Sequence, residues 1–272
     1  MNRPLSDTHF AGSIPALYEA HLVPLIFQPY ADDLAGRLAA RPVSRVLEIA
    51  AGTGVVTRCL ASALPEAAAI VAMDLNRPML DMAVRIGTRR PVEWHQANAL
   101  HLPFGDAQFD AVICQFGVMF FPDRPGVFAE ARRVLRPGGT LMFNVWDRIE
   151  ENEFADTVTT APASLFPEDP PRFLARTPHG YHERAEIERD LREGGFAAPP
   201  RVDTVAARST AASARIPAFA YCQGTPLRNE IEARDAARLA EATDAAAAAI
   251  AERFGPGPVD GKIQALVIAL ER

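Results

Sequence analysis

The chain has 272 residues, a hydrophobic fraction of 49% and a charged fraction of 23%, a balance typical of globular proteins with a sizeable core. Its formal charge of −6 argues against nucleic acid as a partner, because phosphate binding needs a basic surface. The sequence has no apolar stretch of membrane-spanning length, no signal-peptide core at its start and no metal-ligand pattern among its three cysteines. We therefore predict a cytoplasmic, non-membrane protein without a metal site, working as a monomer or homodimer.

Segments of strand and helix length alternate from residue 44 to residue 146. We predict strands at the short apolar runs 44–50, 68–74, 92–97, 109–116 and 140–146. We predict helices at the intervening segments 54–64, 76–87 and 124–135. Strands that are nearly continuous in apolar residues belong to a parallel sheet with helices on both faces. The segment 15–40 should form two short helices with a bend, because Pro24 and Pro29 interrupt its pattern.

After Asp147 the pattern changes. A helical piece over 150–165 leads into a proline-rich stretch, 166–182, that should be an irregular loop. We then predict a helix, a strand, a long alanine-rich helix and a last strand at 183–196, 201–207, 226–253 and 262–270. The last two strands should pair as neighbours, and the helical insertion between them should form a lid.

The turn after the first strand, in LEIAAGTGVVT (47–57), is the first candidate ligand site. Gly52 and Gly54 allow a sharp turn and a close approach of a ligand to the backbone, although such a turn also closes ordinary strand–helix corners. A dinucleotide site favours a third glycine where this chain has Thr57. Glu48 opposes a pyrophosphate but suits a cation such as an amino group, unless it only caps nearby amides.

Two polar residues follow the next strands. Asp74 ends the second strand, where an acid accepts hydrogen bonds from ribose hydroxyls in nucleotide-binding folds. This position is compatible with NAD and with any adenosine ligand, and it is also compatible with a simple helix cap. Asn98 follows the third strand and could bond a base edge beside the Ala99 amide, or act only as a turn residue.

Four segments in this order resemble the successive motifs of class I S-adenosylmethionine-dependent methyltransferases. They are VLEIAAGTG (46–54), VAMDLN (71–76), ANALHLPFGDAQFDAVICQFGVMFFPD (97–123) and EARRVLRPGGTLMFNVW (130–146). Within that family, the chain is most similar to the small-molecule branch that includes the ubiquinone/menaquinone-biosynthesis C-methyltransferases. From residue 150 onward only the layout is similar.

The resemblance implies a Rossmann-like, doubly wound α/β sheet of seven strands, mostly parallel with an antiparallel last strand, plus a helical lid. It suggests three regions: an N-terminal helical cap (1–43), an S-adenosylmethionine-binding core (44–147) and a substrate and lid region that completes the sheet (148–272). RPGG (136–139) is a tight structural turn in the family.

The resemblance further implies which residues hold S-adenosylmethionine. They lie at or just after the ends of the first four strands: Glu48, Ala50, Gly52, Gly54, Asp74, Leu75, Met79, Asn98, Ala99, Gln115 and Phe116. Glu48 would lie near the methionine amino group, Asp74 would hold the ribose hydroxyls and Leu75 would pack on the adenine. Asn98, where the family more often has Asp, would accept from the adenine amino group. Gln115 and Phe116 would lie by the reacting sulfonium.

Methyl transfer from a sulfonium is an in-line displacement in which the cofactor supplies the activated carbon. The expected acceptor is a small, partly apolar molecule, because the candidate substrate-binding residues are aromatic or soft: Tyr18, Phe27, Met119, Phe120 and Tyr181. The same residues could instead be packed core. O-, N- and C-methylation all remain open at this point.

A general base is needed only if the nucleophile must lose a proton of high pKa. The candidates are His21, His179 and His182, each of which could equally be a solvated or structurally bonded imidazole. Two alternatives to a methyltransferase also remain open, an NAD(P)-dependent Rossmann oxidoreductase and a non-catalytic S-adenosylmethionine-binding module.

Overall fold

The structure, a computed structural model, describes residues 5–8 and 10–272. The chain forms two compact units. The first unit comprises the part before Gln28 together with Trp146–Gly180 and Val205–Ala265. The second unit comprises Gln28–Val145, Tyr181–Thr204 and Leu266–Arg272.

Seven strands form a single sheet. They are β1 (Arg45–Ile49), β2 (Ala69–Asp74), β3 (Glu93–Gln96), β4 (Phe109–Gln115), β5 (Leu135–Trp146), β6 (Arg201–Ala211) and β7 (Val259–Glu271). Their order is β3-β2-β1-β4-β5-β7-β6, and the four pairings among β1 to β5 are parallel. The chain reverses its direction of growth at β1, so the turns after β1 and β4 lie where open α/β sheets bind ligands.

The last strand runs antiparallel to β5, as predicted. The Gly138 amide donates to the Arg272 carbonyl, and the Asp147 amide donates to the Gln264 carbonyl, so the two strands run in opposite directions. β6 is the neighbour of β7 at the sheet edge, which confirms the predicted pairing. The predicted seven-stranded, mostly parallel fold is therefore confirmed.

The helices of at least one α-turn are α1 (Ile14–Leu17), α2 (Gln28–Ala39), α3 (Val55–Ala63), α4 (Arg77–Ile86), α5 (Arg124–Val134), α6 (Glu153–Thr160), α7 (Phe173–Arg176), α8 (Arg184–Glu193), α9 (Arg215–Gly224), α10 (Leu227–Asp235) and α11 (Leu239–Phe254). A π-helical segment, Tyr18–Phe27, contains Pro24 and separates the two predicted N-terminal helices. In the second unit α2 packs on α3 and α5 packs on α8. In the first unit α9 packs on α11 and α6. Within the described ranges, no helix is long and apolar enough to span a bilayer.

The C-terminal region differs from the prediction in three details. The single helix expected over 226–253 is interrupted after α10, because Asp235 is extended (φ −159°) and its carboxylate accepts from the Ala237 amide to start a new turn. α9 was not predicted as a separate helix within the helical insertion. The expected irregular loop 166–182 contains the one-turn helix α7.

The start of the fifth strand was also predicted too late. β5 begins at Leu135, and the RPGG stretch lies inside it as a wide bulge, not as a separate turn. Phe109 pairs with Leu135 and Ala111 with Thr140, so five steps on β5 oppose two on β4. Gly138 adopts φ +74° in this bulge, which a glycine does without strain.

Candidate functional site

The turn after β1 is built from left-handed backbone conformations. Gly52 and Gly54 have φ values of +57° and +82°, and Ala50 adopts φ +56° although it is not a glycine. A Cβ on Gly54 would lie 3.1 Å from both the Ala83 Cβ and the Trp94 ring, so this position requires glycine for space as well as conformation. The turn therefore depends on glycine for its backbone conformation and, at Gly54, for its close packing.

Glu48 is buried at the end of β1, where its carboxylate Oε2 accepts from the Thr57 hydroxyl at 2.5 Å. Burial raises the pKa of Glu48 to about 8, with Asp74 raising it further and the Thr57 hydrogen bond and Arg58 opposing the shift. A dinucleotide site favours glycine at position 57, whereas here the Thr57 side chain bonds Glu48 inside the protein. A buried acid here favours a cationic ligand group over a pyrophosphate.

Asp74 links the ends of β1 and β2. Its carboxylate accepts from the Gly52 amide at 2.9 Å, from the Asn76 amide at 2.7 Å and from the Asn76 side chain at 3.4 Å. Desolvation raises the pKa of Asp74 against these hydrogen bonds. The Leu75 amide also lowers this pKa, so four donors surround a carboxylate that has about four lone-pair sites. The next residue, Leu75, is 52% exposed, an apolar surface beside this acid.

The end of β3 lies against the end of β2. The Ala97 amide donates to the Asp74 carbonyl, and the Gln96 side chain donates to the Leu75 carbonyl. Asn98 is exposed and its Oδ1 accepts from the Leu100 amide at 3.0 Å, while Ala99 is buried. The carbonyl oxygen of Asn98 retains a second lone pair, so the Asx turn does not prevent it from accepting from a ligand.

The turn after β4 contains the second strained non-glycine of the site. Phe116 has φ +48°, and its amide donates to Oδ1 of Asn144 at 2.9 Å. Ala50 lies against Gly117, so the turns after β1 and β4 are packed together. Met79 is buried near Gly52. The structure thus brings together, at the carboxyl ends of the parallel strands, the residues predicted for the cofactor.

Among the polar atoms of this region that are buried and have no hydrogen-bond partner within residues 5–8 and 10–272, two can donate. They are the Thr53 hydroxyl and Nδ2 of Asn144. A buried unpaired donor is unfavourable, so such atoms mark positions where a ligand or water completes the bonding. The two unpaired donors, the glycine-containing turn after β1 and the Asp74 carboxylate are together compatible with S-adenosylmethionine. Asn144 was not predicted from the sequence, although an amide within the apolar run TLMFNVW is a signal for such a residue.

The first unit contains an array of aromatic rings. Tyr18 stacks on Phe27 at 4.8 Å, and Phe27 lies 6.0 Å from the Trp146 ring, which in turn lies 5.9 Å from the ring of His179. Nδ1 of His179 lies 2.9 Å from the Asp147 carbonyl, so this nitrogen carries the proton in the neutral ring. His21 packs edge-on against Phe219 at 5.3 Å.

The remaining candidates lie in the second unit. Met119 is fully buried and Phe120 half-buried in the short turn after β4. Tyr181 is fully buried, with its hydroxyl donating to Asp190 at 3.0 Å and the Arg124 guanidinium 3.8 Å from the ring centre. These contacts give Tyr181 a structural role. His182 is half-buried beside the Glu183 carboxylate. In the described ranges, no group of three or more His, Cys, Asp or Glu could hold a metal ion.

Residues 47–143 match the family model described as Methyltransferase domain. The chain carries a methyltransferase domain. This domain contains the turn after β1, Asp74 and the turn after β4, and the seven-stranded sheet around it is the class I methyltransferase fold.

Relatives of the methyltransferase domain include enzymes named for quinones. The ubiquinone/menaquinone biosynthesis C-methyltransferase of Wigglesworthia glossinidia brevipalpis is 34% identical over 108 residues, which are 38% of this chain and 43% of that protein. The demethylmenaquinone methyltransferase of Lactiplantibacillus plantarum is 37% identical over 103 residues, 36% of this chain and 44% of that protein. The chain thus matches less than half the length of these relatives.

The same fold is found in solved structures. An arsenic(III) S-adenosylmethionine methyltransferase from Chlamydomonas reinhardtii superimposes with a TM-score of 0.52 and 18% identity, covering 89% of this chain and 73% of that one. At this identity the likeness concerns the fold. It extends well beyond residues 47–143, so the helices and strands after β5 also belong to the shared architecture.

Proposed function

We propose that the protein transfers a methyl group from S-adenosylmethionine to a small, partly apolar acceptor. The observation that carries the proposal is the pair of buried acids, Glu48 and Asp74, around a glycine turn at the ends of β1 and β2. When bound, the cofactor supplies the activated methyl carbon. The protein then has to bind, orient and exclude water, and an orientation effect of this kind is worth roughly 7–11 kcal/mol.

The adenosine half of the cofactor would be held after β2 and β3. Asp74 would accept from a ribose hydroxyl, and the exposed Leu75 offers an apolar surface to the adenine ring. Asn98 would accept from the adenine amino group, beside the amide of the buried Ala99. Gly52 and Gly54 would let the ribose and the chain beyond it pass close to the backbone.

Glu48 distinguishes this proposal from an NAD(P)-dependent oxidoreductase. In the described structure its raised pKa means that the carboxyl is largely protonated near neutral pH. A cationic ammonium group nearby would favour the ionised form, whereas a pyrophosphate would be repelled by it. Together with Thr57 in place of glycine, this acid favours the amino-acid end of S-adenosylmethionine.

Calorimetry with S-adenosylmethionine, S-adenosylhomocysteine, NAD⁺ and NADP⁺ tests the proposal. We expect the two sulfur ligands to bind and the two dinucleotides to give no heat. If a dinucleotide binds and neither sulfur ligand does, the protein would instead be assigned as an NAD(P)-dependent oxidoreductase. Binding of S-adenosylmethionine without release of S-adenosylhomocysteine across a broad acceptor panel would support a non-catalytic binding module.

We further propose that the acceptor is a planar ring compound bound through the aromatic array of the first unit. Tyr18 and Phe27 provide a stacked pair, and aromatic surfaces of this kind favour rings over sugars. The relatives named for quinones make reduced 1,4-naphthoquinones the first acceptors to test. Tyr18→Ala should lower turnover of a ring acceptor while leaving S-adenosylhomocysteine affinity unchanged. A loss of both would contradict a separate acceptor role for Tyr18.

We also propose that the protein works in the cytoplasm. Its three cysteines, Cys59, Cys114 and Cys222, are free thiols, and burial raises the pKa of Cys114 to about 12. Unreactive thiols of this kind suit a reducing compartment. Fractionation of cells expressing the tagged chain tests this location, and recovery in a membrane fraction would contradict it.

A further inference from the structure

Asn144 is fully buried in β5, and its two side-chain atoms have different situations. Oδ1 accepts from the Phe116 amide at 2.9 Å. Because that amide can only donate, the bonded atom must be the oxygen, and the other atom is therefore the NH₂ group. Nδ2 is buried and makes no hydrogen bond within the described ranges. Asn144 thus presents an amide donor with no acceptor at the carboxyl end of β5.

The strand order indicates which part of the cofactor this donor would meet. β2 and β3, with the candidate adenosine-binding residues, lie on one side of β1, and β4 and β5 lie on the other. Gln115, the last residue of β4, is the register partner of Asn144. A cofactor whose adenosine lies after β2 and β3 would extend its amino-acid end across β1 toward β4 and β5.

The amino-acid end carries one cation and one anion. Glu48, at the end of β1, is an acid that suits the ammonium group. The carboxylate needs donors, and a hydrogen bond to a charged acceptor is stronger than one to a neutral group. Nδ2 of Asn144 is a buried donor on this side of β1 that has no acceptor among residues 5–8 and 10–272.

We propose that Asn144 binds the carboxylate of S-adenosylmethionine through Nδ2 while its Oδ1 holds Phe116 in the left-handed conformation. This inference rests on the proposed function, because it assigns one more residue to the same cofactor site. It makes Asn144 a bifunctional contact. Oδ1 supports the turn after β4 together with the Asn144 carbonyl, which also accepts from the Phe116 amide at 3.2 Å, and Nδ2 recognises the ligand.

A pair of ligands separates these two roles. S-Adenosylhomocysteine has the amino-acid end, whereas 5′-methylthioadenosine shares the adenosine and the sulfur but lacks it. Asn144→Asp keeps an oxygen for the Phe116 amide and replaces the donor with an acceptor. We expect this variant to bind S-adenosylhomocysteine at least tenfold more weakly and 5′-methylthioadenosine within about twofold of the unsubstituted protein. Equal effects on both ligands would overturn the proposal.

A matched control is Asn152→Asp in the first unit. The Asn152 amide nitrogen donates to the carbonyls of Asp147, Arg148 and Gln264, so this substitution also removes a buried amide donor. It should lower the melting temperature without changing the ratio of the two ligand affinities. Asn144→Leu removes both side-chain polar atoms. Like Asn144→Asp, it should weaken S-adenosylhomocysteine binding more than 5′-methylthioadenosine binding, even if the turn is disturbed.

A measurement on the unsubstituted protein does not depend on the folding of any variant. With asparagine-selective ¹⁵N labelling, the Asn144 side-chain NH₂ resonances should shift on addition of S-adenosylhomocysteine and remain in place with 5′-methylthioadenosine. Shifts with both ligands, or with neither, would refute the carboxylate contact. If S-adenosylhomocysteine does not bind the unsubstituted protein at all, the proposed function itself fails, and the two outcomes are thereby distinguished.

Discussion

Gly117→Ala tests the packing between the turns after β1 and β4. A Cβ at position 117 would lie 2.7 Å from both the Ala50 Cβ and the Cys114 Sγ, whereas ordinary contacts are 3.4–4 Å. The backbone at Gly117 is not left-handed (φ −102°), so alanine would be strained by lack of space alone. The Ala50 Cβ has no torsion through which it could move aside, and the Cys114 Sγ could do so only by rotating about χ1 in a buried site, so the backbone of one of the turns must move.

The magnitude follows from the size of that movement. Restoring normal contacts needs a displacement of about 1 Å in a close-packed region, and overpacking of this kind costs roughly 1–3 kcal/mol. At about 2–4 °C per kcal/mol for a chain of this size, the melting temperature should fall by roughly 2–12 °C. Affinity for S-adenosylhomocysteine should fall as well, because Ala50 and Phe116 belong to the candidate cofactor site.

Thermal unfolding followed by circular dichroism measures the stability change, and calorimetry measures the affinity. Gly36→Ala is the matched control, because its Cβ meets nothing within 4 Å on the exposed side of α2. It should stabilise the protein by roughly 0.5–1 kcal/mol. In a Cys114→Ala background, which removes one of the two close contacts, Gly117→Ala should cost less than in the unsubstituted protein.

If Gly117→Ala melts at the temperature of the unsubstituted protein and binds S-adenosylhomocysteine with unchanged affinity, the two turns are not packed as the structure shows. Equal costs of Gly117→Ala with and without Cys114 would mean that the clash with the sulfur atom is not part of the effect.

Because the folded-state pKa of Glu48 is raised to about 8, the free energy of unfolding should decline as pH rises from about 4.5 to about 8. In Glu48→Gln this decline should be smaller by roughly 4 kcal/mol, as measured by urea unfolding at several pH values. Equal pH dependence in the variant and the unsubstituted protein would contradict this prediction. Asp74→Ala should weaken S-adenosylhomocysteine binding at least tenfold in calorimetry, and unchanged affinity would mean that the ribose site is misassigned. Tyr181→Phe removes the hydroxyl bonded to Asp190 and should lower stability by roughly 1–2 kcal/mol with cofactor affinity unchanged, whereas a change in affinity would contradict a structural role.

The strand and helix pattern of the methyltransferase domain could be predicted from the sequence because local signals and the tertiary fold agree there. Helix α4 begins after Asn76, carries Pro78 in its first turn and ends at Gly87, each a local signal. The apolar runs of β1, β2 and β4 correspond to buried strands. The glycine turn and the acids next to it follow from the same spacing, because the carboxyl ends of parallel strands meet at one edge.

The sequence by itself therefore determined the fold, the position of the cofactor turn and the main candidate contacts. Only the tertiary structure decided how individual polar groups are used. It showed that Thr57 bonds Glu48, that Tyr181 packs under Arg124, and that Asn144 holds the turn after β4 with one atom and leaves a donor on the other. Periodicity records which residues face the core of their own element, whereas these contacts join residues far apart in the chain, and their partners are set by packing.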